Sequence, residues 1–151
     1  MRQILLVFRA VILSVLVLFI VPFFAWAQSP VTIEVKTVLA SSEGNNLDPQ
    51  LSEMADELKN LFRYTSYRLL GSDRLTLKPH QTGELSLPSR RRLQITHRGI
   101  RNQRVELFLK MFKKRKNVFE TNIRQNNRSS LIVGGPRYKN GYLLFSIYST
   151  F

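Results

Sequence analysis

The chain has 151 residues, no cysteine, and 23 Lys and Arg against 10 Asp and Glu, for a formal net charge of +13. That length fits one domain, and the missing cysteines exclude disulfides, thiolate metal centres and cysteine nucleophiles. The charge is lopsided: residues 28–89 hold six Lys and Arg against eight Asp and Glu, whereas residues 90–151 hold fifteen against two.

Arg2 and Arg9 precede an apolar run from Ala10 to Phe24, interrupted by Ser14 and Pro22, and Ala25-Trp26-Ala27 follows. A positive start, an apolar stretch and an A-x-A site predict a signal peptide over residues 1–27, cleaved before Gln28. The alternative is an uncleaved N-terminal anchor, because Ile4 to Trp26 is nearly long enough to span a bilayer. No cysteine follows the apolar run, so a lipid-anchored lipoprotein is excluded. An exported domain without disulfides points to a bacterial envelope, periplasmic or secreted.

Residues 28–151 read as a single α+β domain. Val31, Ile33 and Val35 alternate after Ser29-Pro30 and predict a first strand to Ala40. Ser41 to Asn46 is turn-rich. Asp48-Pro49 opens a helix, with Asp48 as acceptor for the free amides and Pro49 at the first helical position. Leu51, Met54, Ala55, Leu58, Leu61 and Phe62 share one helical face, a stripe suited to packing on a sheet. Tyr64 to Leu70 predicts a strand, Gly71-Ser72-Asp73 a turn, and Leu75 with Leu77 a further strand stopped by Pro79. Leu85 and Leu87 mark another before Pro88-Ser89.

From Arg92 to Phe151 the pattern is a meander whose apolar residues are odd-numbered: Leu93, Ile95, Val105, Leu107, Leu109, Met111, Phe119, Ile123, Leu131, Val133, Leu143, Phe145 and Ile147. Strands alternate faces with period two, so this parity puts one continuous apolar face on one side of a sheet. For the hairpin over residues 105–125, one register sets Met111 opposite Phe119, Leu107 opposite Ile123, Lys110 opposite Glu120 and Glu106 opposite Arg124. Slipping by one residue would set Leu109 against Glu120, so the first register is expected. Next, Ile123 is expected opposite Leu131 and Thr121 opposite Val133. A final hairpin is expected to turn through Pro136 to Gly141, with Asn140-Gly141 in left-handed positions and Leu131 facing Phe145. A row Leu107–Ile123–Leu131–Phe145 would then cross four strands under the helix. Gly134-Gly135-Pro136 marks a bulge or tight bend. The whole is expected to be a mostly antiparallel sheet of about eight or nine strands with one amphipathic helix packed on it.

Candidate binding residues are Arg90, Arg91, Arg92, the outward Phe108, Lys110 and Phe112, and the loop Lys113, Lys114, Arg115 and Lys116. Cations interleaved with aromatics suit lipid head groups or nucleic acid, although a basic hairpin loop also serves solubility. Nucleic acid is disfavoured by export. A second candidate is the even face of the last hairpin, Ile132, Tyr142, Leu144 and Tyr148, whose apolar character predicts cover by the N-terminal strands or by a partner. His80 and His97 are the only histidines. Neither has spacing that suggests a metal site, and no G-x-S-x-G elbow or phosphate loop occurs. No catalytic residue, metal or cofactor is expected.

Thr121-Asn122-Ile123-Arg124, followed by Ser129-Ser130-Leu131-Ile132-Val133-Gly134-Gly135, resembles the strand-turn-strand ending in Gly-Gly of the outer-membrane secretin domain. Pro136 stands where secretins commonly carry an aliphatic residue. The resemblance is confined to this segment and implies a local β-design in a small envelope domain, the chain being too short for a secretin pore. Residues 28–151 as a whole resemble small exported bacterial envelope proteins that carry no assigned activity. The reading that follows is an exported, non-enzymatic envelope component acting in binding or assembly. Its alternatives are binding of lipid head groups, lipopolysaccharide or another polyanion through the basic meander, or a hydrolase without a recognisable motif.

Overall fold

The computed structural model describes residues 29–151, so the expected signal peptide and its cleavage site lie outside the described residues. Eight strands follow in order: β1 Val31–Ser41, β2 Ser66–Leu77, β3 Thr82–Leu87, β4 Arg91–Arg101, β5 Arg104–Lys113, β6 Lys116–Asn126, β7 Ser129–Tyr138 and β8 Gly141–Thr150. A 3-10 turn, Pro49–Met54, and a short helix α1, Ala55–Leu61, lie between β1 and β2. The first sheet has the order β2-β1-β8-β7 and the second β3-β4-β5-β6. All ladders are antiparallel.

The inward faces of the two sheets bury each other. Val31, Ile33, Val35, Leu143, Phe145 and Ile147 of the first sheet form one core with Leu93, Ile95, Val105, Leu107, Leu109 and Met111 of the second. Each of these twelve side chains is fully buried, and mutual burial of apolar area is the main favourable term in such a sandwich. The odd-number parity therefore marks the inward faces of two sheets, not one face of a single sheet.

The split falls between β6 and β7. They share no ladder, and the expected pairing of Ile123 with Leu131 does not occur. The Gln125 side chain holds the corner. Its amide donates to the Ile147 carbonyl at 2.7 Å and to that of Ser129, and its carbonyl accepts from Ser149 Oγ at 3.1 Å. Side-chain hydrogen bonds replace the ladder there, and the predicted four-strand row breaks in two. Leu107 and Ile123 belong to one sheet, Leu131 and Phe145 to the other.

Local registers follow the sequence more closely. In β5–β6, Leu107 faces Ile123, Lys110 faces Glu120 and Met111 faces Phe119, as expected. The ladder then shifts, so that Lys113 faces Lys116 and the turn is Lys114–Arg115 alone. In β7–β8 Leu131 faces Ile147 and Val133 faces Phe145. This is a two-residue displacement from the expected register, which keeps every side chain on its face. Its cause is the irregularity between Gly134 and Arg137, which draws Pro136 into the strand and tightens the turn to Lys139–Asn140. Lys139 takes the left-handed conformation, φ 52°. Gly141 is required for a different reason: a Cβ there would overlap the Ala40 carbonyl oxygen of β1.

Gly71-Ser72-Asp73 is not a turn. Strand β2 runs through it, pairing with Thr37, Lys36 and Val35, and the ladder slips between Thr37 and Val38 to leave Leu70 as a bulge.

The helical segment covers the outer face of the first sheet. Leu51 and Leu58 pack with Val38, Ala40, Tyr67, Ile132 and Leu144. It is fastened at both ends. Asp48 accepts from the Gln50 amide at 3.0 Å and from the Leu69 amide of β2 at 3.2 Å. The Tyr67 hydroxyl lies 3.0 Å from the Leu58 carbonyl, which also accepts the Phe62 amide, and 2.9 Å from the Phe62 carbonyl, so its one proton is shared between two carbonyls at the helix end. Burial raises the Tyr67 pKa above its ordinary 10.0.

Phe145→Ala is expected to cost about 3–5 kcal/mol, since it empties a fully buried site between the sheets. Lys114→Ala at an exposed turn should cost under about 0.5 kcal/mol, and denaturation midpoints of the two variants give the comparison. Tyr67→Phe is expected to cost about 1 kcal/mol through the lost hydrogen bond. Because folding raises this pKa, the folded state retains the phenol proton better than the unfolded chain. The wild type should therefore lose stability as pH rises above 10.0, narrowing its advantage over Tyr67→Phe. Denaturant titrations of both proteins on either side of that pH measure the effect.

Candidate functional site

Hairpin tips alternate between the two ends of the sandwich, and the more basic tips share one end, while Arg101, Arg104 and Arg128 stand at the other. The β3–β4 turn carries Arg90, the β5–β6 turn Lys114 and Arg115, and the β7–β8 turn Lys139. The Lys114 amide donates to the Arg90 carbonyl at 3.1 Å, tying the first two turns together. An Arg91 guanidinium nitrogen lies 3.4 Å from the Arg137 carbonyl oxygen, tying the first to the third. Arg91 faces Lys113 and Lys113 faces Lys116, so a row of three cations crosses β4, β5 and β6. Like charges directly opposite one another are unfavourable. Glu43 reaches this end by accepting a hydrogen bond from the Asn140 side-chain amide.

The candidate residues divide here. Arg90, Lys113, Lys114, Arg115 and Lys116 are exposed at the basic end. Arg91 has the inward parity of Leu93 and Ile95 and is only 7% exposed. Its guanidinium carbon lies 5.0 Å from the Tyr138 ring centroid, and Tyr138 belongs to the inter-sheet core. Its Nε is buried without a hydrogen-bond partner, and among the described residues no carboxylate lies within ion-pair distance of it.

Arg92, Phe108, Lys110 and Phe112 lie instead on the flat outer face of the second sheet. There Arg92 stands over Phe112 at 5.8 Å and Lys110 over the same ring at 5.5 Å. Arg98 covers Phe108 at 4.4 Å. This face is largely self-compensated. Arg92 pairs with Glu84 at 3.4 Å, Lys110 with Glu120 at 3.9 Å and Arg124 with Glu106 at 2.9 Å. Exposed pairs of this kind are worth little individually, but they cancel the local field. The excess positive charge is thus concentrated at the hairpin tips, apart from the aromatics.

Of the second candidate surface, Ile132 and Leu144 are 9% and 2% exposed under the helical segment. They present nothing to a partner; the helical segment covers them, not the N-terminal strands, which lie beside β8 in the same sheet. Tyr142 and Tyr148 flank that cover and are exposed, with the Tyr142 ring 6.0 Å from that of Tyr64. Beside Tyr148 a shallow groove between helix and sheet is lined by Glu34, Lys36, Glu53, Met54, Glu57, Ser130 and Ser146.

His97 is fully buried, its Nδ1 lying 3.3 Å from the Leu77 carbonyl oxygen, while His80 is exposed in the adjoining loop. Among the described residues no group of three His, Cys, Asp or Glu is placed to hold a metal, and no helix is long and apolar enough to cross a membrane. Sequence reasoning missed Arg137, Tyr138, Lys139 and Arg98. The first three carry a readable signal, a basic turn whose tip points to the same end as the two before it. Arg98 carries none, because it sits at a ladder irregularity between His97 and Gly99.

No protein-family model, curated protein or solved structure matches the chain.

If the stacked cations of the outer face are local stabilisers, Arg98→Ala should lower stability by about 0.5–1 kcal/mol, the range for an exposed cation–π contact. Phe108→Leu in the Arg98→Ala background should then add less than it does in the wild type, which a double-mutant cycle of denaturation midpoints reads directly.

Proposed function

We propose that this protein is an exported, non-enzymatic envelope component that works by binding, and that it docks end-on against an anionic partner surface. The observation that carries the reading is the gathering of three basic hairpin turns at one end of the sandwich by the Lys114–Arg90 and Arg91–Arg137 contacts. A uniformly basic surface would serve solubility equally well. A cluster denser at one end, with the flat faces covered by a helix or neutralised by ion pairs, makes a directed field that orients approach. The N-terminal sequence, with its positive start, apolar stretch and A-x-A site, supports export.

The test uses the full chain without its first 27 residues and vesicles of phosphatidylcholine alone or mixed with phosphatidylglycerol. Co-sedimentation with the mixed vesicles should fall steeply with added salt, since exposed charges are screened beyond about 8–10 Å at 0.1–0.15 M. Replacing Lys113, Lys114, Arg115 and Lys116 together by Gln should weaken binding about tenfold or more at low salt, with the thermal midpoint not lowered, since the facing Lys113 and Lys116 repel. Equal retention of wild type and quadruple variant, or no retention of either, overturns the reading.

A further inference from the structure

The basic end contains one feature that a merely solubilising patch does not require. Arg91 is drawn inward, nine-tenths buried, with its guanidinium against Tyr138. A buried guanidinium ordinarily has a carboxylate. Here the nearest protein acceptor is a carbonyl oxygen at 3.4 Å, and Nε has none. The Lys139 ammonium lies 5.5 Å from the same ring, and Lys113 stands opposite Arg91 on β5. Three like charges are thus held near one another at the mouth of the inter-sheet core, and an oxyanion is the group that would relieve them.

We propose that the mouth framed by Arg90, Arg91, Lys113 and Lys139 is a phosphomonoester-binding site, and that its occupant is the phosphomonoester of an anionic lipid surface. This rests on the docking reading above and adds the chemical group recognised. A planar guanidinium suits tetrahedral phosphate because it can donate two parallel hydrogen bonds, and the surrounding lysines act as point charges. Turn tips form a blunt end that meets a lipid surface without a groove. Single-stranded nucleic acid instead favours aromatic platforms open to stacking, whereas Phe108 and Phe112 lie on the flat face under Arg98, Arg92 and Lys110.

The experiment compares phosphatidylcholine vesicles containing phosphatidic acid, which exposes a phosphomonoester, with vesicles containing phosphatidylglycerol at the same measured surface charge. The wild type should bind the phosphatidic acid vesicles about tenfold more tightly, the scale set by one additional charge-assisted pair. Arg91→Lys should abolish that preference while retaining the salt-dependent binding common to both. On the wild type, the NMR signal of the Arg91 Nε–H should shift with phosphatidic acid nanodiscs and stay in place with phosphatidylglycerol ones. That signal decides the matter if Arg91→Lys fails to fold. Equal binding to the two charge-matched vesicles, or an unmoved Nε–H, overturns the phosphomonoester site and leaves end-on docking standing. No binding to either vesicle overturns both. Tighter binding to single-stranded DNA than to phosphatidic acid overturns the lipid assignment.

Discussion

The structure depends on two four-stranded sheets hiding their apolar faces from water against each other. Neither sheet could stand alone, because each has one largely apolar inward face and an isolated sheet needs cover. Phe145 and Leu143 of β8 meet Leu107, Leu109 and Met111 of β5 in one core. Everything functional hangs on that contact, since it fixes which hairpin tips share an end. The corner held by Gln125 then becomes a structural necessity: the chain must leave one sheet and enter the other, and its side chain satisfies backbone carbonyls that a ladder would otherwise use.

The two outer faces are treated differently. The first sheet is covered by the helical segment, held by Asp48 at its start and Tyr67 at its end. With only seven residues in α1, this helix is far below the length that is stable alone, so its place is set by Leu51 and Leu58 against the sheet. The second sheet faces water and answers with ion pairs and cations stacked on Phe108 and Phe112. Such a mixed surface leaves little net field. The field comes from the turns, where among the described residues no lysine or arginine side chain pairs with a carboxylate, Glu43 being engaged by Asn140.

Arg91 links packing to charge. Its parity sends it inward and its place at a strand start sends it to the rim, so it closes the inter-sheet core with its guanidinium on Tyr138. A leucine there would close the core with less electrostatic cost. The arginine makes the end of the core cationic, and it does so beside turns already rich in lysine.

Much of this was legible in the residues themselves. Alternating apolar positions determined which side chains face inward, because strand geometry allows only two faces. Opposite charges and apolar pairs determined the β5–β6 register as far as Met111, and Asp48-Pro49 determined where the helical segment begins. The charge split between residues 28–89 and 90–151 was equally plain. Only the tertiary structure decided what covers each face. Parity labels a face as apolar without saying whether a helix or another sheet lies against it, so the helix proved to cover Leu144 and Ile132, not Phe145. The turn at Asn127–Arg128 looks locally like any hairpin turn, and only the competition between continuing one wide sheet and folding two sheets together made it a corner. The candidate site was legible as a list of cations but not as a place. Arg92 and Lys110 fall on a neutralised face, and Lys139 joins Arg90 and Lys113, because shared ends are set by long-range packing that no local pattern encodes.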